Sequence, residues 1–346
     1  MTHLKNSIKH ILVIRLSALG DVAMTVPIVQ ALTQQHPDLK ITILTRAFFK
    51  PLFNDLPNVN FHVADVKGKH KGILGIRKLS KELKKMNIDA IADLHNVLRS
   101  NILKSFFQLS DIPFIQIDKG RGEKKALTSG KLFSQLKTTH QRYVDVFKKL
   151  NIQIDLSKHS FPPKKKRTQK LTDILGGDHK KWIGIAPFAA FKGKMYPLDL
   201  MEQVIERLNG MDSYKIVLFG GGEKEKKILD ELADKHKNVI SMVGKLPFEE
   251  ELQLISNLDL MVSMDSGNAH LASMFGIKTI TLWGVTHPYA GFYPFKQNID
   301  NALLSDKEKY PLIPTSVYGN KVPEGYEEVM RTISPEKIIE KITFLI

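Results

Sequence analysis

The sequence predicts an α/β protein built from two doubly wound domains in tandem. Short β-branched runs alternate with stretches of helical period along most of the chain, and near-continuous apolar strands of this kind are typical of parallel sheets covered on both faces. The 346 residues are long enough for about two domains. Two prolines and a charge run within residues 161–170 predict a linker, so we expect domains at 1–165 and 166–346.

The first domain contains four predicted strands, each followed by a loop or a helical stretch. The strands are 11–16, 41–45, 90–94 and 114–117. The helical stretches are 22–35, 73–85 and 99–109. This alternation favours a sheet of parallel strands joined by crossover helices.

The second domain repeats the pattern with five predicted strands. These are 182–186, 215–219, 239–241, 260–263 and 279–282. The helical stretches are 198–209, 223–237, 248–256 and 268–275. A last helix, 334–345, begins with a Ser-Pro-Glu start signal, and we expect that it can pack back on the first domain.

The formal net charge of +15 is unevenly distributed. Residues 1–160 hold 26 Lys and Arg against 12 Asp and Glu, whereas the rest of the chain is nearly neutral. Much of the excess lies in 67–85 and 119–137, and a solvated helix face or a surface for a polyanion would each explain it. Few aromatic residues lie among these lysines; besides nucleic acid, the cytoplasmic face of a membrane or an acidic lipid headgroup is therefore a candidate partner.

Several protein classes are disfavoured by what the sequence lacks. Cysteine is absent, which excludes disulfides, zinc–thiolate sites and a cysteine nucleophile. The G-x-G-x-x-G, G-x-x-x-x-G-K-[ST] and G-x-S-x-G motifs are also missing, which disfavours dehydrogenases, P-loop NTPases and α/β-hydrolases. The first apolar run, 11–16, is too short for a signal peptide or a membrane span, so we expect a cytoplasmic protein.

The loop after the first strand carries a candidate catalytic base. It reads RLSALGD over 15–21 and leads directly into a helix. Asp21 lies where an N-cap is expected, and most carboxylates in that position only cap the helix. The functional alternative is that Asp21, at the carboxyl end of a strand where ligands of such sheets bind, deprotonates a substrate hydroxyl.

Four loops at strand ends of the second domain together indicate a nucleotide site. They read PFAAFKGKMYP (187–197), GGGE (220–223), DSGNAH (265–270) and WGVTHP (283–288). The glycines of 220–222 allow close backbone approach to a ligand, and Glu223 can bind ribose hydroxyls. Residues 265–267 precede a helix whose free N–H groups and dipole favour a phosphate.

The sequence predicts no metal site. There is no D-x-D or H-E-x-x-H motif, and His270 and His287 lie on separate loops. A lone histidine near a helix start is more often a packing residue than a ligand.

Taken together, these segments resemble glycosyltransferase family 9, the ADP-heptose:lipopolysaccharide heptosyltransferases. The matching segments are ILVIRLSALGDVAMTVP (11–27), KMYP (194–197), FGGGEKE (219–225) and SMDSGNAHLASMFGIKTITLWGVTHP (263–288), in family order and spacing. The resemblance implies a GT-B fold, in which two Rossmann-like domains face each other across a cleft. That fold agrees with the alternation of strands and helices described above.

The resemblance also implies an inverting transfer of a sugar, heptose from ADP-heptose, to the inner core of lipopolysaccharide. Two residues match catalytic positions: Asp21 as general base and Lys194 on the donor phosphates. The implied donor-binding residues are Ser17, Gly20, Glu223, Asp265, Ser266, Gly267 and His270. The acceptor-binding candidates are Arg15, Arg99, Lys67 and Lys69.

The expected partners are a nucleotide sugar and an anionic lipid-linked saccharide at the cytoplasmic face of the inner membrane. No metal and no other cofactor is expected, because a lysine and a helix N-terminus can stabilise the leaving diphosphate. We expect a monomer that binds no nucleic acid. Two alternatives remain: a GT-B-fold nucleotide-sugar epimerase, which would need no acceptor, and a non-catalytic relative that binds nucleotide or glycolipid.

Overall fold

The computed structural model describes residues 8–346, which form two compact α/β units. Unit 1 consists of the described residues up to Lys119 together with Thr139–Ser160. Unit 2 consists of Gly120–Thr138 and Phe161–Ile346. Each unit contains one sheet, and every strand pair in the two sheets is parallel.

Unit 1 contains a sheet of five strands in the order β3-β2-β1-β4-β5. The strands are β1 (His10–Ile14), β2 (Lys40–Thr45), β3 (Val59–Val63), β4 (Ala90–Asp93) and β5 (Phe114–Gln116). The helices are α1 (Leu19–Ala23), α2 (Val26–Gln35), α3 (Gly72–Lys84), α4 (Leu98–Ser105) and α6 (Thr139–Lys148). β1 is buried along its whole length, and its Leu12 and Ile14 share a core with Leu79 of α3, so the central strand and this helix support each other.

Unit 2 contains a sheet of six strands in the order β11-β10-β9-β6-β7-β8. The strands are β6 (Lys181–Ala186), β7 (Tyr214–Leu218), β8 (Val239–Ser241), β9 (Leu260–Met264), β10 (Lys278–Trp283) and β11 (Ala302–Leu304). The helices are α5 (Arg121–Thr128), α7 (Gln169–Leu175), α8 (Leu198–Gly210), α9 (Gly222–Ala233), α10 (Phe248–Ser256), α11 (Gly267–Ser273) and α12 (Pro335–Leu345).

In both sheets the strand order reverses at the centre of the sheet. From β1 the chain moves outward to β2 and β3, and then returns to build β4 and β5 on the other side of β1. Unit 2 repeats this arrangement, with β6 and β9 as the neighbours at the reversal. The loops leaving the two central strands therefore diverge, and the crevice between them is where open α/β sheets bind ligands.

Residues 120–138 lie with unit 2, although the sequence-based boundary assigned them to the first domain. Two apolar contacts, a backbone hydrogen bond and a cation–π contact hold this segment to the loop after β10. Leu127 and Leu136 pack with Ala290, and the Leu136 N–H donates to the Tyr289 carbonyl at 3.0 Å. The Lys124 ammonium lies 4.0 Å from the centre of the Phe292 ring, so part of the basic run at 119–137 is buried and is no solvent-exposed polyanion surface.

Several elements differ from the sequence-based predictions. The predicted helix 22–35 is two helices, α1 and α2, because Pro27 lacks an N–H and fits only in the first turn of a new helix. β3 and β11 were missed: β3 lies at a sheet edge and carries polar Asn60 and His62, and β11 has only three residues. α5, α6 and α7 were not predicted either.

The last helix packs against the core of its own unit. Ile338, Ile339 and Ile342 of α12 are buried in the core of unit 2 together with Met201 and Val204 of α8. These residues of α12 are therefore buried by its own unit, and packing of 334–345 on the first domain stays a prediction. Within residues 8–346, no helix is both long and apolar enough to cross a membrane.

Candidate active site

The loop after β1 is organised by the buried side chain of Arg15. Its guanidinium donates from Nε to the Ser17 carbonyl at 2.9 Å and from Nη1 to the Leu94 carbonyl at 2.7 Å. The third nitrogen, Nη2, lies 2.7 Å from Oδ2 of Asp21. All three nitrogens of the planar guanidinium are therefore used, and they join the ends of β1 and β4 to one carboxylate.

Asp21 lies in the first turn of α1, two residues beyond the N-terminal residue of the helix, and not at the N-cap position that the sequence predicted. Its Oδ2 accepts the Ala18 N–H at 3.2 Å in addition to the Arg15 contact. Its side chain is still 30% exposed, and both of these contacts use the same oxygen. Asp21 therefore caps the helix and also presents Oδ1 for other chemistry, so the structural and the functional roles coexist.

Other parts of this loop and of the end of β4 complete the site in unit 1. Ser17 and Ala18 are joined by a cis peptide bond, and Gly20 belongs to the first turn of α1. His95 follows β4 and is buried; its Nδ1 accepts the Leu16 N–H at 3.4 Å. Burial and the positive charge of Arg15 lower the pKa of His95 to about 3, so this imidazole is neutral at pH 7.

In unit 2 the corresponding pair is Lys194 and Asp265, from the loops that follow β6 and β9. The Lys194 Nζ lies 3.1 Å from Oδ2 of Asp265, and the two side chains are only 13% and 9% exposed. Thr286, in the loop after β10, donates its hydroxyl to the same oxygen at 3.0 Å. Asp265 is the one partner of the Lys194 ammonium in the described part of the chain, so two of the three ammonium N–H donors stay available for an anion.

The aliphatic stem of Lys194 is held by a glycine from a distant loop. A Cβ added to Gly319 would lie 2.4 Å from Cγ and 2.5 Å from Cδ of Lys194. Gly319 has a φ of +84°, and its N–H donates to the Ser316 hydroxyl at 2.9 Å. The absence of a side chain therefore lets this loop press against the stem and fix the direction of the ammonium.

The start of α11 lies beside this pair. Ser266 is the N-cap residue, and its hydroxyl is 3.0 Å from that of Ser263, while Gly267 is the first residue of the helix. His270 is buried within α11. Asp265, Ser266 and Gly267 are thus contiguous at the carboxyl end of β9, where the sequence predicted an anion site.

The glycine-rich turn after β7 places a different carboxylate against the backbone from the one predicted. Oε2 of Glu225 accepts the Gly221 N–H at 2.7 Å. Glu223 lies in the first turn of α9 and is exposed. Glu225 therefore fixes the turn, and Glu223 remains accessible to a ligand.

The four acceptor candidates are not equivalent. Arg15 is buried, with each of its three nitrogens in contact with a protein acceptor, whereas Arg99 is exposed in the first turn of α4. Lys67 is exposed, and Lys69 lies 2.7 Å from Oε1 of Glu82. Arg99, Lys67 and Lys69 are thus surface cations on loops or a helix start of unit 1, and Arg15 is an internal support.

Comparison with known proteins identifies the family. The model of glycosyltransferase family 9 (heptosyltransferase) matches residues 76–317, which is more than half of the chain. The chain belongs to glycosyltransferase family 9. It is thus a glycosyltransferase, as the sequence motifs predicted, and the GT-B fold that they implied is confirmed as well.

Individual relatives of this glycosyltransferase are distant but cover nearly its full length. Lipooligosaccharide heptosyltransferase 2 of Campylobacter jejuni is 23% identical and covers 94% of this chain and 95% of its own. The family 9 glycosyltransferase of Veillonella parvula has the same fold, with a TM-score of 0.76, 20% identity and coverage of 99% and 98%. The Escherichia coli ADP-heptose lps heptosyltransferase II has a TM-score of 0.68 at 19% identity, with coverage of 97% and 98%.

The sequence did not single out four residues that shape the site of this glycosyltransferase: His95, Thr286, Gly319 and Glu225. Two of them lie in segments that the sequence did flag, since Thr286 belongs to WGVTHP and Glu225 to FGGGEKE. His95 directly follows a predicted strand, and that position was a usable signal. Gly319 offered no local signal, because its partner lies far away in the sequence.

Within the described residues 8–346, no group of three or more histidine, aspartate or glutamate side chains is arranged to hold a metal ion. Metal-free transfer remains a prediction.

Proposed function

We propose that this glycosyltransferase is an inverting heptosyltransferase that transfers heptose from ADP-heptose to the inner core of lipopolysaccharide. The observation that carries the proposal is a pair of opposite charges at the reversal point of each sheet. Unit 1 presents the carboxylate of Asp21, and unit 2 presents the ammonium of Lys194. A displacement that creates charge on a leaving diphosphate needs one group of each kind.

Asp21 acts as the general base on the acceptor. Its carboxylate removes the proton from an acceptor hydroxyl as the hydroxyl oxygen bonds to the anomeric carbon of the donor sugar. Arg15 is assigned to positioning: it holds Oδ2, so that Oδ1 faces the acceptor in one orientation. This assignment replaces the acceptor contact that the sequence analysis gave to Arg15.

Lys194 stabilises the leaving group. As the bond between the anomeric carbon and the phosphate oxygen breaks, its electron pair passes to the diphosphate, which gains charge. The two remaining ammonium donors of Lys194 and the backbone N–H groups of Ser266 and Gly267 are proposed to bind that charge. Asp265 holds Lys194 before the donor arrives and contacts the sugar afterwards, with His270 behind the same helix turn.

The remaining donor and acceptor contacts follow from position. Glu223, exposed at the start of α9, is proposed to bind the ribose, while Ser17 and Gly20 contact the donor from the loop after β1. Arg99, Lys67 and Lys69 are proposed to bind the carboxylates and phosphates of the acceptor.

The names of two relatives support the choice of sugar and acceptor, since one is a lipooligosaccharide heptosyltransferase and another an ADP-heptose lps heptosyltransferase. A lipid-linked acceptor implies work at the cytoplasmic face of the inner membrane, and monomeric behaviour is proposed with it.

The test is a transfer assay with ADP-heptose and lipopolysaccharide that lacks its heptoses. We expect ADP release and a new heptosyl linkage of inverted anomeric configuration, in equal amounts, identified by NMR. Turnover of ADP-heptose without acceptor would identify an epimerase or a hydrolase instead. Saturable binding of ADP-heptose without ADP release in the presence of acceptor would identify a binding protein.

A further inference from the structure

The outer face of α3 is an uncompensated cationic surface with an apolar tip. We call Ile73, Leu74, Arg77, Lys78 and Lys81 the α3 surface; all five side chains are exposed. Ile73 and Leu74, in the first turn, are 64% and 78% exposed, and the three cations follow at helical spacing on the same side. The α3 surface thus combines two aliphatic side chains with a row of positive charge.

The opposite face of α3 fixes this orientation. Ile76, Leu79 and Leu83 are buried in the core of unit 1. A Cβ on Gly75 would lie 2.3 Å from the backbone carbon of His70, so the first turn is pressed directly against the preceding loop. The helix therefore cannot rotate to bury Ile73 and Leu74 without losing its core contacts.

The positive charge of the α3 surface has no internal counter-charge. Residues 67–85 contain eight Lys and Arg but one acid, Glu82. That carboxylate faces inward: Oε1 lies 2.7 Å from Lys69, and Oε2 lies 3.2 Å from Nε2 of His70. Within the described residues, Arg77, Lys78 and Lys81 make no ion pair.

A helix of unit 2 shows what an ordinary solvated cationic helix looks like in the same chain. On α9, Lys226 pairs with Asp230 at 2.6 Å and Lys227 with Glu231 at 3.9 Å, both at the i,i+4 spacing. Such pairs neutralise and slightly stabilise a surface helix. α3 has none of this compensation, so we take its charge as directed at an external anion.

We propose that the α3 surface binds an anionic lipid bilayer. Cationic clusters on an amphipathic helix are attracted to anionic headgroups, and exposed aliphatic side chains at the tip can enter the boundary with the acyl chains. Nucleic acid would offer nothing to Ile73 and Leu74, because its bases stack on aromatic side chains, and residues 67–85 contain none.

The location of the α3 surface suits the proposed acceptor. The strands of unit 1 are parallel, so β1 and β3 end at the same sheet edge. The loop carrying Asp21 follows β1 at this edge, and the start of α3 follows β3 there. A bilayer held by the α3 surface would place a lipid-linked saccharide at the edge that carries the candidate base. This consequence rests on the proposed function, but bilayer binding itself does not.

The experiment measures co-sedimentation of the full chain with vesicles of phosphatidylcholine, with or without phosphatidylglycerol. We expect binding only to the anionic vesicles. The triple variant Arg77→Gln, Lys78→Gln, Lys81→Gln should lower the partition coefficient by about two orders of magnitude, at roughly fivefold per charge. The charge-matched control is Lys148→Gln, Lys149→Gln, Lys158→Gln, three exposed cations elsewhere in unit 1, which should change it less than fivefold.

A second pair of variants tests the apolar tip. Ile73→Ser with Leu74→Ser should lower binding by about tenfold and make the remainder fully salt-sensitive. Leu312→Ser removes an exposed leucine of unit 2 and should leave binding unchanged. Thermal unfolding of each variant confirms that it is folded.

Three outcomes would overturn the proposal. They are no binding to anionic vesicles, equal loss in the α3 triple variant and its charge-matched control, and binding of the wild-type chain to RNA in preference to anionic vesicles. Turnover of a delipidated acceptor separates the two proposals. If the α3 variants use the delipidated acceptor at the wild-type rate but no longer bind vesicles, bilayer binding and the proposed function are both supported. If the wild-type chain binds vesicles but uses no acceptor, only the proposed function fails.

Discussion

The two units carry the same kind of ion pair at the same topological point, but the partner that is left available differs. In unit 1 all three nitrogens of Arg15 are bound by the protein, whereas Asp21 is 30% exposed. In unit 2 the carboxylate of Asp265 is buried and shared between Lys194 and Thr286, whereas two donors of Lys194 remain. One unit therefore presents a carboxylate, and the other presents an ammonium.

The chemistry of the cations explains the difference. A guanidinium is a rigid fork, and each of the three nitrogens of Arg15 already has a fixed acceptor within the protein, so Arg15 becomes a support for the carboxylate beside it. An ammonium is a point charge on a flexible stem and needs external restraint to be aimed, which Gly319 supplies by lying against the stem of Lys194.

The largest effect is expected for Asp21→Asn. The amide cannot accept the acceptor proton, so transfer should fall at least about 10³-fold. ADP binding, measured by calorimetry, should stay within a few-fold of wild type. The control is Asp111→Asn, an exposed carboxylate of the same unit, which should retain full activity. Transfer by Asp21→Asn at the wild-type rate would show that unit 1 does not present the base.

Removal of the available cation in unit 2 comes next. Lys194→Met should lower kcat by about 10²- to 10³-fold and weaken ADP binding, because the diphosphate loses its charged donors. The variant should also unfold at a lower temperature, since Asp265 is left buried without its counter-charge.

Two further variants separate catalysis from stability. The double variant Lys194→Met, Asp265→Asn should unfold at a higher temperature than Lys194→Met alone, but it should be no more active. Lys192→Met removes an exposed lysine from the same short helical turn and should behave as wild type. Normal ADP binding by Lys194→Met would contradict the role given to this ammonium.

A smaller loss is expected for Arg15→Lys. The lysine keeps a positive charge beside Asp21 but cannot bind Ser17, Leu94 and Asp21 in the geometry of the fork. We expect kcat to fall by about 10- to 100-fold, because misplaced reacting groups lose that much rate. The KM for the donor should hardly change. If the KM for the acceptor rises while kcat is kept, Arg15 contacts the acceptor, as the sequence had suggested.

The smallest effect tests the restraint on Lys194. Gly319→Ala should lower kcat by up to about tenfold, because the new methyl group would displace the lysine stem. Gly325→Ala is a matched control: Gly325 has a φ of +81°, close to the +84° of Gly319, but open space around its Cα. Both variants pay the backbone strain of about 1 kcal/mol, and Gly319→Ala alone should lose activity.

A double-variant comparison completes this last test. In a Lys194→Ala background the stem is absent. Gly319→Ala should therefore lower the unfolding temperature by no more than Gly325→Ala does. If Gly319→Ala still lowers the unfolding temperature more than Gly325→Ala in that background, the residue that Gly319 contacts is not Lys194.

Much of the architecture could be predicted from the sequence, because a buried strand appears in the sequence as a run of apolar residues. β1 and β9 are buried along their whole length, and each is apolar except for one residue, His10 and Ser263 respectively, so each predicted strand needed only its own residues. The positions of Asp21 and Asp265 at strand ends followed too, because parallel strands all end at one edge, whereas Lys194 was singled out by the resemblance to the family.

The geometry of the site could not be predicted in the same way. The contact between Lys194 and Gly319 joins residues 125 positions apart, and the contact between Arg15 and Leu94 depends on β4 lying beside β1. No local pattern records either contact. The attachment of residues 120–138 to unit 2 is a further case, because Leu136 and Lys124 find their partners only on the loop after β10.

The sequence by itself determined the central strands and most of the helices between them, the presence of two α/β units, and the charged residues that follow the central strands. Periodicity and turn chemistry are properties of neighbouring residues, and these features depend on nothing else. Only the tertiary structure decided which member of each ion pair is held by more contacts with the protein and which is held by fewer. That outcome depends on the carbonyls and the glycine that distant strands and loops bring to Arg15 and Lys194, and such neighbours exist only after the chain has folded.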